Sequence, residues 1–197
     1  KLIDINEDVS NQKYNESKRF FIDKFENDIN IFRHYIFLNS LSIKENILKE
    51  KINTGESKYI EFKETLSLDV RRTKFDKTYI PKKESEIELS SLKTICAFLN
   101  ADGGELFIGI DDQINILGIK NELKILHKYS KDDMLTHLQT QIYQNIGGGF
   151  TNFIDAQIRS LDDKEIIHIM CRKSNKEVFF KNKDFYTRSG PSTKKLE

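Results

Sequence analysis

The sequence predicts an α+β fold: a mixed β-sheet with helices packed against it, preceded by an N-terminal two-helix element. Three observations carry this prediction. Apolar residues recur at three- and four-residue intervals in the first fifty residues and again in "SEIELSSLKTICAFLN" and "KDDMLTHLQTQIYQN". They alternate instead in "KYIEFKETL" and "FIDAQIRSL". Glycines or short polar clusters separate these stretches.

In chain order, residues 1–15 are polar and expected to fray. Phe21, Phe25, Ile29, Phe32 and Ile36 then form an amphipathic stripe. Ser42 followed by Glu45 matches a capping box, so a second helix is expected to run from there to Gly55. This places a helical segment at 1–54 and a separate domain at 55–197. "KYIEFKETL" is the first strand, with Glu61 and Lys63 on its polar face. Gly103 and Gly104 turn the next helix into the strand "ELFIGI", and "INILGI" is expected to return beside it as a hairpin. Ser130 is the expected N-cap of the following helix, and the glycines 147–149 lie past its end. A hairpin around "LDDK" comes next. The last elements expected are two short strands around "NKD".

Composition narrows the function classes. No apolar run approaches the roughly 20 residues that span a bilayer, and the first thirty residues lack a basic-then-apolar signal. No membrane association and a cytoplasmic location are therefore expected. Cys96 and Cys171 sit in apolar stretches without metal-ligand spacing, and are expected as reduced core residues. Net charge is +1, but residues 69–83 carry six Lys/Arg against two Asp, with Phe75 and Tyr79 interleaved. Residues 171–197 carry eight Lys/Arg against three acids. Basic, aromatic stretches suit a phosphate-rich partner, but on charge alone two solvated loops are the favoured reading.

Four stretches, "GESKYIEFKETL", "TICAFLNADGGELFIGIDD", "ILGI" and "FYTRSGPST", resemble in order and spacing the Schlafen-type Alba domain (Schlafen AlbA-2). The resemblance covers about residues 55–196 and implies nucleic-acid binding. In the family's nucleases, two glutamates and an aspartate form a metal-dependent ribonuclease centre that cuts structured RNA such as tRNA. The matching positions are Glu56, Glu61 and Asp112. The resemblance thus implies these three as catalytic residues and metal ligands. Lys63, two residues beyond Glu61 and so on the same strand face, is expected to neutralise charge on a phosphate oxygen. Oxygen-only ligation suits Mg²⁺ or Mn²⁺. Arg71, Arg72, Lys74, Lys77 and Arg188 are the expected nucleic-acid contacts. A non-catalytic DNA-binding module of a bacterial transcriptional regulator is the alternative reading.

The residues add their own conditions. Five positions separate Glu56 from Glu61, so on one strand they would face opposite ways. They converge only if Glu56 precedes the strand. Asp112 shares parity with Ile108 and Ile110, and burying it unpaired would cost several kcal/mol. The strand is therefore expected to end first, leaving Asp111 and Asp112 free to turn toward the glutamates. The chain departs from the family's pattern in its long basic segment after Leu68 and in Glu177, where proline is common. It also holds one lobe where the eukaryotic nucleases have two. A homodimer is therefore an expectation too.

Overall fold

The computed structural model describes the backbone of residues 2–196 and the side chains of residues 14–73 and 75–196. The chain divides into two compact units, residues 1–48 and 49–197. Helix α1 (Leu2–Asn53) is continuous through the first unit into the start of the second. This corrects the two-helix expectation. No glycine or proline interrupts 2–53, and Ser40, near the expected break, donates its hydroxyl to the Phe37 carbonyl one turn back instead of stopping the helix. A capping box is a local preference, and an unbroken helical ladder outweighs it.

The second unit is α+β. Its first sheet has the order β1-β2-β4-β3, from β1 (Ile60–Lys63), β2 (Gly104–Ile108), β3 (Ile154–Leu161) and β4 (Lys164–Cys171). β1 pairs parallel with β2, and the other pairs are antiparallel. Helices α2 (Ser85–Asn100), α3 (Lys120–Leu126) and α4 (Lys131–Asn145) supply much of the core. A second, antiparallel sheet is formed by β5 (Phe179–Phe180), β6 (Asp184–Ser189) and β7 (Ser192–Leu196). α2 packs against β2 and β4 of the first sheet and against all three strands of the second.

Local chemistry explains most of these elements. Ser130 caps α4 as expected, accepting from the Asp133 N–H at 3.1 Å. Met134, Leu138 and Ile142 then bury one stripe at four-residue spacing. Between β3 and β4, Asp162 and Asp163 take φ of 48° and 59°, the left-handed pair of a tight hairpin turn. Gly104 opens β2 where any Cβ would sit 2.3 Å from the Phe98 ring, so α2 and the strand approach each other through a missing side chain. Cys96 and Cys171 are buried free thiols, and burial pushes Cys96 up to about 12.

The segment "INILGI" forms no strand. An isolated bridge joins Ile110 to Ile116 and the Leu117 and Gly118 N–H groups donate to the Gly109 carbonyl, but the chain leaves β2 into a turn built on Asp111 and the pairing extends no further. α3 was not expected from the pattern, and neither was a third strand, β7. Among the described residues no helix is long and apolar enough to cross a membrane.

Candidate nucleic-acid interface

β1 is an edge strand, and the turn before it curls back along its open side. Gly55, at φ +78°, ends α1 in the left-handed conformation that glycine adopts without strain. The Ser57 N–H then donates to the Ile60 carbonyl at 2.9 Å. This puts Glu56 ahead of the strand, as its spacing required. Its carboxylate accepts from the Phe62 N–H at 2.8 Å, occupying a donor on the unpaired edge.

Glu61 lies in register with Leu106, on the sheet face that carries α2. A buried carboxylate there needs partners. One oxygen accepts from Arg188 at 2.8 Å and the other from Lys63 at 2.5 Å. Arg188 comes from β6 in the second sheet, and its charged group is wholly buried. It also donates to Thr193 Oγ1 at 3.0 Å, to the Ser57 carbonyl at 2.9 Å and to the Pro191 carbonyl at 2.8 Å. Its guanidinium lies over the Phe98 ring at 4.7 Å. Expected as a phosphate contact, Arg188 is instead an internal fastener: it joins the turn before β1, β1 itself and the β6–β7 turn. Neighbouring sequence carries no sign of this, because all its partners but Pro191 and Thr193 come from far along the chain.

The Asp111–Asp112 pair divides its roles. Asp111 is buried and accepts from the Gln113 and Asn115 N–H groups and from Asn115 Nδ2. It organises the turn after β2. The Asp-x-x-x-Asn pattern was the signal for this and was missed. Asp112 is exposed on the same turn.

A hard divalent cation needs several carboxylate oxygens aimed at one point. Both Glu61 oxygens accept from cations, and one Glu56 oxygen is held by a backbone N–H. Among the described residues no three His, Cys, Asp or Glu side chains form a group that could hold a metal ion. As arranged, Glu56, Glu61 and Asp112 do not fit the expected three-carboxylate centre. Arg188 and Lys63 already supply Glu61 with positively charged partners.

The basic segment after β1 has defined structure. Leu68 bridges Lys83, the Asp69 N–H donates to the Lys82 carbonyl at 3.0 Å, and the Glu84 N–H donates to the Ser67 carbonyl at 2.7 Å. These contacts pinch residues 69–83 at the base into a protruding loop. A buried Glu122 from α3 accepts from the Leu66 and Ser67 N–H groups just before it. Inside the loop, a short 3-10 turn spans Arg72–Lys74, Asp76 accepts from Thr78, and the Arg72 guanidinium lies 5.4 Å from the Tyr79 ring centroid. Arg71, Arg72 and Lys77 are exposed, and Phe75 stands 92% exposed among them. The side chain of Lys74 falls outside the described residues. At the loop's base, Lys63 and Arg71 line one pocket, between the C-terminal end of β1 and the start of α2, together with Glu64, Glu86 and Ser90. Lys63 and Arg71 are thus brought together, while Arg188 and Asp112 are not among the residues lining this pocket.

The family model described as Schlafen, AlbA_2 matches residues 56–197. Among solved structures, the crystal structure of the DIP2311 protein from Corynebacterium diphtheriae is similar, with a TM-score of 0.47 and 16% identity. That match covers 71% of this chain and 22% of the other, so this chain spans well under two thirds of that protein's length.

Proposed function

Because the chain belongs to the Schlafen AlbA_2 family, we propose that its second unit binds the backbone of a nucleic acid through the loop at 69–83, without cutting it. The observation that carries this reading is the pinched loop with Arg71, Arg72 and Lys77 exposed around a fully solvated Phe75. Cations on such a loop displace counterions from phosphates, and an uncovered ring gains most by stacking on an unpaired base. Leaving a phenylalanine bare in water has no folding benefit. A binding role explains it.

The test is fluorescence anisotropy with labelled single-stranded RNA and DNA over a range of salt concentrations, each with Mn²⁺ and with chelator. Binding that falls steeply with salt and is indifferent to chelation supports the proposal. Cleavage of tRNA with Mn²⁺ that is lost in Asp112→Ala, a substitution on an exposed turn, would overturn the non-catalytic part. It would favour the metal-dependent endoribonuclease reading instead, with Glu56, Glu61 and Asp112 as ligands after rearrangement. No shift with either polymer removes the nucleic-acid reading altogether.

A further inference from the structure

Helix α1 exposes large apolar side chains that a solvated helix has no reason to carry. Within them lies a strict repeat: Ile22, Ile29, Ile36 and Ile43 fall seven residues apart, and Phe25 and Phe32 follow the first two at three-residue spacing. The sequence stripe noted above mixed these columns. The continuous helix separates them, because one unbroken ladder keeps register over four heptads. Ile22, Phe25, Phe32, Ile36 and Ile43 are 48–67% exposed. Near the N-terminal end Phe21, Ile22, Phe25 and Ile29 line an apolar groove on this face.

We infer that this face is a two-stranded parallel coiled-coil seam, and that its occupant is the same helix of a second copy of the chain. β-Branched isoleucine in the first heptad column is the residue type that two-stranded parallel seams carry there. Asn39 and Asn46 continue the Phe column as polar residues. In a parallel pair each meets its own counterpart, which permits amide hydrogen bonds in register and leaves them unsatisfied when the strands slip. Charge agrees. Asp28 and Arg33 flank the seam five residues apart, the spacing at which one strand's side chain reaches the next heptad of a parallel partner. The pair is self-complementary, as a two-fold interface requires. Ile31, Leu38 and Leu41 form a shorter row outside the seam. This inference is independent of the nucleic-acid reading.

The experiment measures the mass of the full chain in solution by sedimentation equilibrium from low to high micromolar concentration. The expected mass is twice 23.1 kDa. The double variant Ile29→Lys with Ile36→Lys should be a monomer whose second unit keeps its far-ultraviolet and thermal signature. Asp28→Arg should weaken dimerisation about tenfold or more, and adding Arg33→Asp should restore it. Asn39→Cys should form an interchain disulfide under oxidising conditions, the native thiols being buried. A monomeric wild type overturns the seam. A trimer or tetramer overturns the two-stranded assignment, and a dimer with neither charge-swap rescue nor the disulfide overturns the parallel register.

Discussion

Arg188 and Glu61 meet as a buried ion pair at 2.8 Å across 127 residues of chain. Such a pair is worth little against a well-packed apolar replacement, yet removing one member strands the other charge. Glu61→Ala or Arg188→Ala should therefore cost about 3–5 kcal/mol each. That lowers the melting temperature by roughly 6–20 °C for a domain of this size. Calorimetry of the two single variants and the double checks it. The double should be less destabilised than the sum, and simple additivity would show that the charges are not coupled.

Phe75→Ala should weaken single-stranded nucleic-acid binding by about 5- to 150-fold, the range expected when base stacking worth ~1–3 kcal/mol is removed. The melting temperature should not move, since the ring is 92% exposed. An unchanged Kd would mean that the ring touches nothing. Neutralising Arg71, Arg72 and Lys77 together should instead flatten the salt dependence, by about 0.7–0.9 of slope for each phosphate that is no longer neutralised.

The neighbouring aspartates should separate cleanly. Asp111→Ala removes the acceptor of three hydrogen bonds, and should cost about 2–3 kcal/mol. Asp112→Ala, on the exposed side of the same turn, should stay within about 0.5 kcal/mol of wild type. Chemical denaturation of both variants distinguishes them, and an equal loss would refute the assignment of Asp111 as the turn's organiser.

Acid should weaken the second unit through Glu105. Its burial pushes the carboxyl up, but hydrogen bonds from His168 and Lys51 more than offset this and hold it below the ordinary range. A folded pKa below the unfolded one means that this contribution is fully present above about pH 4.3, the ordinary glutamate value. It is lost as pH falls through the folded value. Stability measured from pH 7 to pH 3 should drop less steeply for Glu105→Gln than for wild type. Parallel curves would place the acid sensitivity elsewhere.

The α+β class, α2, α4, the β3–β4 hairpin and the Ser130 cap were legible in the sequence because each rests on interactions within a few residues. Apolar period, caps and turn residues report such interactions directly. α1 was misread at Ser42 because a cap signal says where a helix can begin and not whether an earlier one has already ended. The return strand at 114–119 was misread because its apolar residues follow a turn held by a side chain, Asp111, and not by a ladder. The basic loop's charge was plain in the sequence. Its pinched base was not.

The sequence by itself determined which residue types are present, in what local order, and therefore the elements and the family they resemble. Tertiary structure alone decided what the charged residues do. Arg188 became a fastener and Glu61 its partner because folding brought the second sheet over β1. Asp111 went inside and Asp112 outside because of the angle at which the chain leaves β2. The reason is that a charge takes its role from the nearest opposite charge or unpaired backbone group. For Arg188 and Glu61 that neighbour lies more than a hundred residues away.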